Sequence, residues 1–142
     1  CCVASLEQMC LENPDMRFLI TLLSRENQHG LCVAARKFPN LKIFGCWWFL
    51  NNPSLVKEIT EMRMEMLGVS FIPQHSDARV LDHLIYKWVH SKEIIADVLL
   101  DNYSKLLRTG WSLSKEDIQR DIALLFSGNA NEALGLQKEE GR

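Results

Sequence analysis

Several familiar signals are missing from this sequence of 142 residues. No apolar run approaches the roughly 18–20 residues needed to span a bilayer, so no transmembrane helix and no membrane partner is expected. The opening Cys1-Cys2-Val3-Ala4-Ser5 lacks the positive start and long apolar core of a signal peptide. It also lacks an initiator Met, which is expected of a chain processed or cut from something longer. Lys plus Arg number 16 against 18 Asp plus Glu, a net charge of −2. With no surplus of positive charge there is no counterion-release footprint, and no nucleic acid is expected as a partner. The five cysteines (Cys1, Cys2, Cys10, Cys32, Cys46) are odd in number and show no C-x-x-C spacing. They read as reduced thiols packed as small hydrophobes in a cytoplasmic protein, not as a zinc cage. The histidines, His29, His75, His83 and His90, form neither H-x-H nor H-E-x-x-H, and no glycine-rich phosphate loop is present.

What remains is ordinary globular usage, 47% hydrophobic and 24% charged residues, with a regular rhythm. Leu6, Met9 and Cys10 fall on one helical stripe, ended near Asn13-Pro14. Phe18 to Leu23 is a short continuous apolar run, the signature of a strand buried on both faces. A helix to about Lys37 follows, then a strand in Lys42–Cys46, then a helix opened by Asn52-Pro53 and closed by Gly68. In that helix Leu55, Ile59, Met62 and Met66 share a stripe, with Met64 turned elsewhere. Val69–Pro73 reads as a third strand. Ser76-Asp77 can cap the next helix, whose apolar face is Val80, Leu81, Leu84, Ile85 and Trp88. Residues 91–109, 114–127 and 129–135 then read as helices, with Ser114-Lys115-Glu116-Asp117 as an N-terminal cap. An α-β alternation of about 25–30 residues per unit is the spacing of βαβ crossovers. Three parallel strands are too few for a closed (β/α)8 barrel, which takes about 250 residues. The expected fold is therefore α/β: a partial barrel over residues 1–90 and a helical extension over 91–142 packing on it.

Three strand ends could carry chemistry. After the third strand, Asp77 offers a carboxylate for proton transfer or metal ligation, and Arg79 a planar fork for a carboxylate or enediolate. The plainer alternative is that Asp77 only caps a helix and Arg79 is solvated. After the second strand, Gly45-Cys46-Trp47-Trp48-Phe49 could wall a sugar, or fill the core. After the first strand, Ser24-Arg25-Glu26-Asn27-Gln28-His29 is polar and could equally be a solvated turn.

Phe44-Gly45-Cys46-Trp47-Trp48-Phe49, Phe71-Ile72-Pro73-Gln74-His75-Ser76-Asp77-Ala78-Arg79 and Leu84-Ile85-Tyr86-Lys87-Trp88 together resemble the C-terminal part of bacterial uronate isomerases. The Leu23–His29 segment fits as well, and the likeness runs from about residue 15 to 127. It is closest to the branch with a His-Ser-Asp-Ala-Arg ending. The resemblance implies the amidohydrolase superfamily, a distorted (β/α)8 TIM barrel, and strands six to eight of it in this chain. It implies aldose–ketose isomerisation of D-glucuronate to D-fructuronate, and of D-galacturonate to D-tagaturonate, through a cis-enediol. Asp77 would then be a metal ligand or proton-transfer group beside a divalent metal, zinc by expectation. Arg79 would bind the substrate and steady the enediolate. Trp47 or Trp48 would line the substrate pocket, and Arg25 is a further substrate-binding candidate.

The family's strand-one H-x-H ligands have no counterpart here, so the metal site is incomplete and the isolated chain is expected to be inactive. Raw sheet edges at strands six and eight are expected to favour pairing or aggregation, and the full-length enzyme leaves room for a homo-oligomer. Two other readings compete. One is an amidohydrolase-type hydrolase using Asp77 with a metal-activated water. The other is a non-catalytic interaction module working through the helices of residues 91–135.

Overall fold

A computed structural model describes residues 2–45 and 52–136. The first apolar stripe forms α1 (Val3–Glu12), which buries Leu6 and Cys10. The apolar run at Phe18 becomes β1 (Phe18–Ile20), and the second becomes β2 (Leu41–Ile43), paired in parallel with Phe18 opposite Leu41. Between them a 3-10 turn (Arg25–Asn27) leads into α2 (Gln28–Lys37), giving one βαβ crossover. The third expected strand is reduced to a single parallel bridge, Phe44 to Ile72. Ile72 bonds to β2 and the segment just after it, donating to the Ile43 carbonyl and accepting from the Gly45 N–H. Pro73 has no N–H to extend the ladder. The neighbouring Val69 and Phe71 carbonyls, turned the other way by strand alternation, accept from the amide of buried Asn129. The edge expected to be raw at the third strand is therefore partly covered by Asn129.

The helix α3 (Pro53–Leu67) starts where the sequence indicates: Asn52 accepts from the Leu55 N–H, and Gly68 closes the helix at φ 60. Its buried face differs from expectation. Val56, Ile59, Thr60, Arg63 and Met64 are buried, whereas Met62 and Met66 are only partly covered. Met64, expected to face away, packs in the core because α3 is sandwiched between α2 and a further helix rather than lying on one surface. That further helix, α4 (Leu81–Arg108), runs unbroken for 28 residues. It replaces the two helices expected on either side of residue 90, so the 90/91 boundary falls inside continuous helix. It begins at Val80 with no side-chain cap; Ser76 and Asp77 lie outside it.

The C-terminal stretch is α5 (Lys115–Ala123), a π turn (Leu124–Gly128) and α6 (Asn129–Leu134). Ser114 and Asp117 form the expected capping box. The core gathers Leu31, Cys32 and Ala34 of α2, Leu41 and Ile43 of β2, Phe71, Ile95 and Val98 of α4, and Leu125. Cys10 and Cys32 sit in it as free thiols, and burial pushes both thiol pKa values up. No helix among the described residues is long and apolar enough to cross a membrane.

Candidate active site

Parallel pairing sets the location. β1, β2 and the Ile72 segment run in one direction, so the segments leaving their C-terminal ends emerge along one edge of the sheet. In parallel α/β folds that edge holds the reacting groups. β2 is central: Phe44 donates to Ile20 on one side, while Gly45 donates to Ile72 on the other. The loops after β1 and after Ile72 therefore stand two strand spacings apart, roughly 10 Å at the backbone. A cavity of about 320 Å³ lined by Arg17, Phe18, Asn40 and Lys42 lies at the opposite end of the strands. The direction of the strands, not the size of that hollow, identifies the candidate edge.

Asp77 and Arg79 lie on one exposed loop at this edge, and neither side chain makes a hydrogen bond or ion pair among the described residues. Asp77 does not cap α4. Its backbone is left-handed, φ 41, a region rare outside glycine but favoured for Asp and Asn, and frequent at functional loops. Lys87 of α4 holds this turn by donating from Nζ to the Ser76 carbonyl at 2.8 Å and to the Asp77 carbonyl at 3.4 Å. The lysine thus ties down the backbone and leaves the carboxylate free.

His75, two residues before Asp77, is half-buried against Phe44, with ring centroids 4.8 Å apart. It lies directly over Gly45, where a Cβ would fall 1.8 Å from the imidazole Cδ2. Gly45 also has φ 72, so any side chain there is excluded twice, by space and by backbone. Burial holds the His75 pKa below its ordinary value, with the Asp77 carboxylate opposing and Lys87 and Arg63 reinforcing the shift.

The other expected residues fare differently. Arg25 sits on the turn after β1, but its guanidinium forms a two-pronged bond to Glu58 of α3, with Nε and Nη2 each at 2.9 Å. Both partners are exposed, where solvent screening leaves such pairs little net stabilisation, so a stronger anion could compete for the fork. Trp47 and Trp48 lie outside the described residues. No three His, Cys, Asp or Glu side chains among the described residues are grouped to hold a metal ion. Zinc sites take three or four protein ligands, so this donor set does not by itself fit zinc at Asp77.

Sequence reasoning missed Arg63 and read Gln28 only as part of a polar turn; both are 1% exposed and located just beneath this edge. The signal was available: Val56, Ile59 and Arg63 share one helical stripe, which places a guanidinium on the buried face of α3.

A scan of family models and a search of curated proteins gave no match. Among solved structures, a uronate isomerase from Bacillus halodurans C-125 superposes with a TM-score of 0.90 and 60% sequence identity over 94% of this chain. This chain is similar to a uronate isomerase over nearly its whole length. The resemblance read from Phe44–Phe49, Phe71–Arg79 and Leu84–Trp88 therefore stands. This chain spans 32% of that relative, about a third of its length. In shape it is a helix-rich α/β unit with a two-stranded parallel sheet.

Proposed function

We propose that this chain is the part of a uronate isomerase barrel that carries strands six to eight. In the whole protein it would serve the isomerisation of D-glucuronate to D-fructuronate and of D-galacturonate to D-tagaturonate. The observation that carries the reading is 60% identity at a TM-score of 0.90 over nearly the whole chain. Two features support it. The loop bearing Asp77 and Arg79 leaves the C-terminal end of the parallel sheet, where barrel enzymes hold their reacting groups. The first half of α4 also presents a bare apolar face, including Leu81, Leu84, Ile85 and Val89. The remaining two thirds of a barrel would cover that face.

Aldose–ketose isomerisation moves a proton between C2 and C1 through a cis-enediol. It needs a base at the carbon, a charge partner for the developing oxyanion and a cation for the uronate carboxylate. Asp77 is free to transfer the proton. Arg79, two residues on, is free to present two parallel N–H donors to the carboxylate or the enediolate. Trp47 or Trp48 would wall the sugar, and Arg25 would reach it on leaving Glu58. Asp77 alone is not a metal site; if it ligates zinc, the other ligands belong to the rest of the barrel.

The test is a chimera in which this chain replaces the matching third of the Bacillus halodurans uronate isomerase. The chimera should isomerise D-glucuronate, and this chain alone should not. Asp77→Asn should lower kcat by about 10²–10⁴-fold, the usual contribution of a positioned acid or base. Arg79→Lys, which keeps the charge and loses the fork, should mainly raise KM. A folded chimera that turns over amides, esters or lactones but no uronate would replace this reading with the hydrolase.

A further inference from the structure

The strand ends that carry the candidate site rest on a buried polar pair whose geometry is specific. Arg63 of α3 donates from Nη1 to the Gly45 carbonyl at 2.7 Å and from Nη2 to Gln28 Oε1 at 3.1 Å. Gln28, at the start of α2, donates from Nε2 to the Leu22 carbonyl at 2.8 Å and to the Ser24 carbonyl at 3.2 Å. Leu22 and Ser24 follow β1, and Gly45 follows β2. The pair therefore spans two adjacent strand ends, with one planar fork reaching both sides. Gly45 in turn bears against the His75 ring, and His75 stands two residues before Asp77.

Packing alone does not explain a guanidinium here. Withdrawing a cation from water costs several kcal/mol, and a well-packed apolar side chain often serves stability as well or better. Arg63 shares its helix face with Val56 and Ile59, where a methionine would meet the need for volume. What methionine cannot do is hold two carbonyl-bearing segments at a fixed separation. Lysine, with a single ammonium centre, is a poor substitute for a fork that must satisfy two acceptors at once.

We infer that Arg63, with Gln28 as its bridge, is a positioning residue. It fixes the spacing between the segments that follow β1 and β2 and, through Gly45 and His75, the placement of the Asp77–Arg79 loop. This rests on the isomerase reading for its catalytic consequence but not for its structural one. A misplacement of about 1 Å is enough to cost about 10²-fold in rate, so small losses of register matter at this edge.

Two readouts test it. In the chimera, Arg63→Lys should lower kcat by about 10–100-fold with KM within about threefold of the parent. In this chain without its partner sequence, Arg63→Lys should speed amide exchange at Gly45, whose N–H donates to Ile72 at 2.8 Å, by at least about tenfold. Exchange at buried Cys32 in α2 should stay as in the parent. Arg63→Met and Gln28→Leu should act in the same direction, and Arg63→Lys remains informative if either fails to fold. Unchanged kcat, or Gly45 and Cys32 amides accelerating together, would overturn the proposal, since the second result marks global loosening and not local positioning. An inactive parent chimera would count against the isomerase reading alone, and the exchange experiment would still decide the role of Arg63.

Discussion

The two halves of α4 share one pattern and have opposite surroundings. From Leu81 to His90, Leu81, Leu84, Ile85 and Val89 recur at helical spacing and face solvent, Leu81 at 73% exposure. From Ser91 to Arg108, Ser91, Ile95, Val98 and Leu99 recur in the same way and are buried against α3 and the rest of the core. Trp88, half-buried near the junction, lies 6.4 Å from the ring of Phe126. A contiguous exposed apolar face on a folded chain marks a surface built to be covered. Amphipathic spacing says which side of a helix needs a cover; it does not say whether this chain supplies it.

The largest effect should come from placing the same charge in each half. Ile95→Asp would bury an unpaired carboxylate in the core and should destabilise the chain by about 3–5 kcal/mol or prevent folding. Ile85→Asp, on the bare half, should change stability by no more than about 0.5 kcal/mol and improve solubility. Urea midpoints of the two variants measure the contrast, and equal losses would mean that the first half is covered in solution. The comparison sharpens in the chimera. Ile85→Cys should be labelled by a thiol reagent at least about tenfold more slowly there than in this chain alone, if the rest of the relative's chain lies over this face. Equal labelling with intact isomerase activity would leave the face bare and require another cover.

How far the sequence discloses this molecule follows the same line. β1, β2 and the ends of α3 were legible because local chemistry sets them: apolar runs, Asn52-Pro53 at the start and Gly68 at the close. The third strand was not, because its length depends on Pro73 and on Asn129, which lies about sixty residues away and takes the Val69 and Phe71 carbonyls. Asp77 was legible as a residue at a strand end, but its freedom from capping was not. That freedom depends on Lys87 holding the turn from the next helix. Arg63 escaped notice, and Gln28 was read as part of a solvated turn, because charged and amide side chains are taken as solvated by default, and only tertiary structure supplies the carbonyls that draw them inward.

A smaller effect lies in the buried half of α4, where the Tyr103 hydroxyl donates to Asp121 Oδ2 of α5 at 3.0 Å. Burial first, and then this bond to a carboxylate, pushes the Tyr103 pKa up to about 12 from an ordinary value of 10.0. A group whose folded pKa exceeds its unfolded one contributes stability that is complete below the unfolded value and is lost as pH rises through the folded value. Stability should therefore hold to about pH 10 and fall between about pH 10 and 12. Tyr103→Phe should cost about 1 kcal/mol at pH 8 and flatten the alkaline decline. Thermal midpoints of parent and variant from pH 8 to 12 check this, and parallel curves would remove Tyr103 from the account.

The smallest expected effect concerns a contact settled within four residues, and so bounds the tertiary effects above. Ser114 Oγ accepts from the Asp117 N–H at 3.1 Å, and Asp117 Oδ2 accepts from the Ser114 N–H at 3.1 Å. Both bonds are exposed and local, so Ser114→Ala should cost about 0.5 kcal/mol, the low end of the usual worth of an N-cap. The side-chain bond from Ser114 is the leading cause that holds the Asp117 carboxyl below its ordinary range, with Arg120 contributing. A depressed carboxylate contributes stability above its unfolded pKa and loses it as pH falls through the folded value. The cost of Ser114→Ala should therefore shrink as the solution is acidified below about pH 4. Chemical denaturation of parent and variant at pH 7 and pH 3 measures that change. A cost independent of pH would mean that the cap works through the serine hydroxyl alone and that Asp117 adds nothing to α5.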